Sequence, residues 1–266
     1  MEKIEYCYHT HTTRCGHAVG EDEEYVKAAI AYGIKRLGFT DHVMLPGYSQ
    51  PGIRGDYSLK DDYIKSIKQL KEKYKDQIEI LIGFECEYMD EMVEYYKELL
   101  KEVDYLILGQ HCRIINGQFV WYSHGDIYEA ARDYVRDITK GIKSGLFTYF
   151  AHPDLIISHF GHGDPIVDEL SHEILRTCQQ YHMTIELNLG PLRRPNYNEN
   201  EYSYPSARFF EISKQYDLKI VMGIDAHNPN DFNDFDVGKG FDFRDRHGLK
   251  IDEHYEIKRY NKTGEK

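Results

Sequence analysis

Residues 4–11 read Ile4-Glu5-Tyr6-Cys7-Tyr8-His9-Thr10-His11. The first five form a short run rich in strand-forming side chains, and the last three set two histidines one residue apart. Alternate side chains of an extended segment leave the same face, so His9 and His11 project together. This is a strand that ends in a pair of convergent imidazoles.

The same arrangement recurs along the chain. Apolar or β-rich runs fall at 36–40, 79–84, 104–109, 147–151, 184–187 and 219–223. Several are apolar on both alternating sets, as expected of strands covered on both faces. Helical periodicity fills the gaps at 21–34, 58–75, 91–101, 126–143, 165–181 and 206–216. The 126–143 segment carries Ile127, Ala131, Tyr134, Ile138 and Ile142 on one face, Ser58 is a candidate cap, and Pro165 stands at a first helical position. Strand–helix alternation predicts a parallel α/β sheet. Seven units predict closure into a distorted (β/α)7 TIM-like barrel, with an open doubly wound sheet as the alternative. No Gly/Ser/Pro linker divides the chain, so one domain over 1–266 is expected, with the charged segment 242–266 as a peripheral tail.

The strand ends carry the chemistry. The second run ends in Asp41-His42, the third in Gly83-Phe84-Glu85, the fourth in Gly109-Gln110-His111, the fifth in His152-Pro153-Asp154 and the seventh in Asp225-Ala226-His227. His17 lies in the loop after the first. One buried histidine is more often a hydrogen-bonded core residue than a ligand, but ligand types at six of seven strand ends need a common cause. Barrel strands converge at their C-terminal mouth, where barrel active sites sit. Nitrogen and carboxylate donors without obligatory thiolate suit Zn, Mn or Fe. The donors are too many for one ion, so two to three divalent metals are expected, a usual arrangement for phosphoester hydrolysis.

Composition narrows the partners. The formal charge of −12 argues against a nucleic-acid partner, although bound metals can reverse the local field for a small anionic substrate. The five cysteines form no CxxC pair, and no apolar run approaches the ~20 residues of a membrane span. A reduced, cytoplasmic setting is the expectation. Tyrosine is abundant, at 23, and is expected in core and cleft positions with its polar tip satisfied.

Taken together, HTH at 9–11, CGHA at 15–18, TDH at 40–42, GFE at 83–85, GQH at 109–111, AHPD at 151–154 and DAH at 225–227 resemble the polymerase-and-histidinol-phosphatase (PHP) family. Within it, Glu186-Leu187-Asn188, Gly190-Pro191-Leu192-Arg193 and Tyr204-Pro205-Ser206 are similar to the sixth-strand region of histidinol-phosphate phosphatases. The sequence departs from that pattern at Cys86-Glu87, and it has two arginines, Arg193 and Arg194, where the family has one. The resemblance implies a trinuclear site. His9, His11, Glu85 and Asp225 would hold one metal. Glu85, His111 and His152 would hold a second, and His17, His42 and His227 a third. It implies phosphomonoester hydrolysis, with Glu85 and Asp225 at the reacting centre. Asp41 and Asp154 are expected to orient histidines by accepting their far N–H, and either is placed to protonate the leaving group. Arg193 is the first candidate for the phosphoryl oxygens, ahead of Arg194, Arg14 and Arg113. Cys15 and Cys112 are read as small neighbours rather than nucleophiles, and His159 and His162 as candidates for the pocket mouth. The rival readings are a phosphotyrosine-protein, nucleotide or other small-monoester phosphatase of the same family, a non-catalytic metal-binding module, and a C–N hydrolase.

Overall fold

The computed structural model describes residues 2–161 and 163–260. The described strands are β1 (Tyr6–Cys7), β2 (Arg36–Phe39), β3 (Glu79–Cys86), β4 (Tyr105–Leu108), β5 (Cys112–Ile115), β6 (Gln118–Trp121), β7 (Tyr149–Phe150), β8 (Thr184–Asn188) and β9 (Ile220–Gly223), and all but β5 and β6 form one parallel seven-stranded sheet in chain order. Helices α1 (Asp22–Tyr32), α2 (Lys60–Lys73), α3 (Val93–Leu99), α4 (Ile127–Ser144), α5 (Pro165–Gln180) and α6 (Ala207–Ser213) follow successive strands, and α7 (Asp234–His247) follows the last. This is the expected (β/α)7 barrel, seven-stranded and nearly closed. All seven predicted runs are strands.

Local chemistry explains the helix ends. Glu21 and Glu24 form a reciprocal capping box at α1, which Gly33 ends in the left-handed region at φ 111°. Asp126 caps α4 by accepting from Tyr128 N and Glu129 N. Ser58 does not cap α2. Asp56 does that work, accepting from Ser58 N at the start of a short 3₁₀ turn that leads into the helix.

The seam between β1 and β9 is closed differently at its two ends. At the mouth, His11 N donates to Ala226 O (2.8 Å) and Ala226 N to His9 O (3.2 Å). At the opposite end the chain beyond α7 fills the gap. Ile251 bridges Ile220, Asp252 N donates to Ile220 O (2.8 Å), and Tyr6 Oη donates to Asp252 O (2.7 Å). Tyr255 and Ile257 then join Tyr6, Tyr8, Leu81, Tyr105, Ile107, Tyr149, Ala151 and Val221 in the packed barrel interior. The segment from Asp242 is therefore not peripheral. Its first residues end α7, and residues 251–257 plug the barrel, while 261–266 lie outside the described residues.

One element escaped the periodicity analysis. Cys112–Ile115 (β5) and Gln118–Trp121 (β6) form an antiparallel hairpin turned by Asn116 and Gly117, at φ 51° and 79°. That pair is the standard signature of a two-residue turn.

Candidate metal centre at the barrel mouth

The nine histidines and carboxylates singled out as ligands arrive at one place. Glu85, 1% exposed, sits at their centre. Its Oε1 lies 2.7 Å from His152 Nε2 and 3.5 Å from His111 Nε2. Its Oε2 lies 3.1 Å from His42 Nδ1, 3.4 Å from His11 Nε2 and 3.5 Å from His9 Nε2. Asp225 Oδ1 faces His9 Nε2 and His11 Nε2 at 3.4 and 3.3 Å. Three triads, His9–His11–Asp225, His9–Glu85–His152 and His11–His42–His227, each have donor atoms within 4.8 Å of one another.

Two glycines make room for the carboxylates. A Cβ on Gly109 would lie 2.0 Å from Glu85 Oε1, and one on Gly223 would lie 1.7 Å from Glu186 Oε1. Two of the strand-end ligands hold the left-handed region without being glycine: His152 at φ 32° and Asp225 at φ 53°. Such conformations cost on the order of 1–3 kcal/mol and cluster at functional sites.

Proton placement decides what the cluster can do. His17 Nδ1 lies 3.3 Å from Cys15 O, and His227 Nδ1 lies 3.1 Å from Asp225 O. A carbonyl only accepts, so both Nδ1 atoms carry a proton, and in a neutral ring Nε2 is left with the lone pair. Those two Nε2 atoms face each other at 3.0 Å. His9 Nε2, both ring nitrogens of His11, His42 Nδ1 and Asp225 Oδ1 are buried without a hydrogen-bond partner. Buried polar atoms are normally paired. Aligned lone pairs and orphaned nitrogens beside two carboxylates are the donor set of a multinuclear metal site, and the residues present fit such ions.

Electrostatics agree. Burial would raise the pKa of Glu85 and Asp225, but the surrounding imidazoles hold both well below the usual carboxylate range. Burial opposes charge on His9, yet Asp225, Glu186 and Glu85 raise its pKa well above normal. Burial and the neighbouring His227 push His11 down to about 3, so it stays a neutral donor. Cys15 is pushed up to about 12 and Cys112 is raised further by burial, which leaves neither thiol a nucleophile.

Asp41 and Asp154 are elsewhere than expected. Asp41 accepts from Thr12 N and Thr12 Oγ1, both at 2.5 Å, and one of its oxygens lies within 4.8 Å of a His11 ring nitrogen and of Cys15 Sγ without a hydrogen bond to His11. It adjoins His42 in an extended segment, so the two side chains leave opposite faces. Asp154 accepts from Ser206 N at 2.6 Å. Burial raises both to about 7, but neither lines the mouth. The carboxylates that orient histidines are Glu186, 2.9 Å from His9 Nδ1, and Glu87, 3.2 Å from His111 Nδ1. Both lie two residues from another polar residue of the site, Asn188 and Glu85, so strand alternation carried the signal.

A cavity of about 370 Å³ opens over the cluster, walled by Ile53, Trp121, Tyr204, Pro191, Arg193 and Arg194. Arg193 donates to Ile224 O (2.8 Å) and Asp225 O (2.9 Å), so much of its guanidinium is tied to the ligand-bearing loop. Arg194 is exposed at the rim with no ion pair among the described residues. Arg14 and Arg113 are not at the mouth. Arg14 is locked between Asp22 and Asp62, and Arg113 pairs with Asp133. His159 does not line the cavity, and His162 lies outside the described residues.

The PHP domain family matches residues 8–189, more than half of the chain. The chain belongs to the PHP domain family. The probable histidinol-phosphatase of Deinococcus radiodurans is 28% identical over 230 residues, covering 84% of this chain and 86% of that protein. The histidinol-phosphatase of Lactococcus lactis is 25% identical over 247 residues, covering 85% of each. The crystal structure of histidinol phosphate phosphatase from the same organism, complexed with Zn, L-histidinol and phosphate, superposes with a TM-score of 0.70 at 21% identity. It covers 93% of this chain and 95% of its own. That PHP barrel fold is the one described here.

Proposed function

We propose that this PHP protein is a metal-dependent phosphomonoesterase that hydrolyses L-histidinol phosphate to L-histidinol and phosphate, acting as one domain in the cytoplasm. No helix among the described residues is long and apolar enough to cross a membrane. The observation that carries the hydrolytic reading is the facing pair of His17 and His227 Nε2 atoms, 3.0 Å apart, beside the buried imidazoles gathered around Glu85. The names of the relatives and the L-histidinol and phosphate in the Lactococcus complex support the substrate.

In this reading His9, His11, Glu85 and Asp225 would hold one divalent ion, Glu85, His111 and His152 a second, and His17, His42 and His227 a third. Such ions lower the pKa of bound water toward neutrality and offset charge on phosphoryl oxygens. Glu85 would be shared by the first two sites, because its Oε1 faces His152 and His111 while its Oε2 faces His11 and His9. Arg194 takes the phosphoryl oxygens from the rim, and Arg193 holds the Asp225 loop in register by its two carbonyl contacts. Trp121, Tyr204 and Ile53 form the apolar and aromatic wall against the leaving group. A cavity of this size suits a small monoester better than a folded phosphoprotein segment.

The test is a comparison of kcat/KM with Mn(II) or Zn(II) for histidinol phosphate, a phosphotyrosine peptide and nucleoside monophosphates. Histidinol phosphate is expected to lead by more than about tenfold, or about 1.4 kcal/mol of transition-state binding. A smaller margin contradicts the assigned substrate. Absence of turnover of all three by metal-replete protein contradicts the enzymatic reading.

A further inference from the structure

A buried arginine that the reaction scheme does not use lies just behind the metal centre. Arg54 is 2% exposed, in the loop between β2 and α2. Its Nε donates to Gln50 Oε1 (2.8 Å), its Nη1 to Val43 O (3.0 Å) and its Nη2 to Glu87 Oε1 (2.9 Å). The guanidinium also lies 5.0 Å from the centre of the Phe119 ring on β6. Glu87 is equally buried, and the Oε1 that meets Arg54 is the atom that meets His111 Nδ1. Its Oε2 has no hydrogen-bond partner. One oxygen therefore joins Arg54 to His111, and His111 presents its other nitrogen toward Glu85.

A charge pair withdrawn from water is poor evidence of stabilisation, because well-packed apolar side chains often serve as well. Orientation is the role that this arrangement fits. A carboxylate on the far nitrogen fixes a ligating histidine's tautomer and ring direction, and the planar fork of Arg54 fixes the carboxylate. The two histidine–carboxylate pairs differ in their support. Glu186, which meets His9, is braced by Asn188 Nδ2 on its own strand and by His152 N at the end of β7. Glu87 is braced instead by Arg54 from the β2–α2 loop, whose Ile53 lines the cavity, and by Cys112 Sγ of β5, 3.7 Å from the same Oε1.

We infer that Arg54 is a positioning residue for the metal centre: through Glu87 it sets the His111 imidazole, and through its loop it sets the cavity wall bearing Ile53. This inference rests on the metal-centre reading above.

The experiment is Mn(II) titration of wild-type, Arg54→Met, Arg54→Lys and Glu87→Gln proteins, followed by kcat and KM for histidinol phosphate at saturating Mn(II). Arg54→Met and Glu87→Gln are each expected to weaken one Mn(II) equivalent about 10–100-fold and leave the others in place. Arg54→Met is also expected to raise KM, since Ile53 loses its anchor, whereas Glu87→Gln leaves KM near wild type. Arg54→Lys keeps the charge but not the fork, so it recovers part of the lost affinity. Native-like Arg54→Met protein with every equivalent within about twofold of wild type overturns the inference. If Arg54→Met does not fold, Arg54→Lys decides: a weakened single equivalent supports the inference, and wild-type affinity overturns it. Wild-type protein that binds no Mn(II) overturns the metal-centre reading as well, which separates the two failures.

Discussion

The two ends of the barrel are built from similar side chains to opposite purposes. At the end away from the mouth, rings and hydroxyls are satisfied within the protein. Tyr6 donates to Asp252 O, Tyr8 to Tyr255 O, and Tyr105 and Tyr149 both donate to Tyr8 O. Around them the interior is filled by Leu81, Ile107, Val221 and Ile257. At the mouth, further along the same strands, ring nitrogens are buried without partners, and His152 and Asp225 occupy strained backbone. One end spends its polar atoms on holding the fold. The other withholds them from the protein, and the unmet demand is what a cluster of cations answers.

Substitutions at the two ends should therefore fail in different ways. The largest effect is expected from Glu85→Gln, which removes the charge shared by five imidazoles. Loss of several kcal/mol of transition-state charge stabilisation predicts a fall in kcat on the order of 10³ at about 1.4 kcal/mol per decade. Steady-state kinetics beside metal analysis checks this, and activity near wild type would remove the distinction between the ends.

Tyr255→Ala probes the plug. Truncating a buried aromatic predicts about 3 kcal/mol of lost stability in denaturant unfolding, with kcat per folded molecule unchanged. A fall in kcat that matched the loss of stability would mean that the plug and the mouth are not separable.

Glu186→Gln sharpens the comparison from within the mouth. It weakens the acceptor at His9 Nδ1 and predicts roughly 10–100-fold poorer metal affinity, read by chelator competition, with little change in unfolding midpoint of the metal-free protein. Arg194→Ala is expected to be milder, raising KM about tenfold through one lost charge-assisted contact while metal content is retained. If Arg193→Ala raised KM as a rim cation would and left metal content intact, the positions of the two arginines would need to be exchanged.

The sequence made the mouth more legible than the plug, for a physical reason. Ligands at strand ends follow alternation: His9 and His11 leave one face of an extended segment, and barrel closure brings distant strand ends together. The same rule, applied more strictly, separates Asp41 from His42 and aligns Glu87 with Glu85. The hairpin was equally legible in Asn116-Gly117, but its strands are short and half-exposed, so no apolar period marks them. Arg54 had no such marker. It lies in an irregular loop, and its partners at 43, 50, 87 and 119 meet only in three dimensions. The plug was hidden by its setting, because Tyr255 and Ile257 alternate within a charged stretch that reads as solvent-facing. The arginines were misplaced because one sequence cannot tell a cation aimed at substrate from one locked in an ion pair, as Arg14 is by Asp22 and Asp62.

Side chains from six strand ends leave donors unpaired where several ions would be gripped. Equilibrium metal-binding stoichiometry, followed by elemental analysis after desalting, reads this out. Two to three divalent ions per chain are expected for the wild-type protein, falling by at least one in Glu85→Gln. Less than one ion per chain in the wild type, or a stoichiometry that Glu85→Gln leaves unchanged, would contradict it.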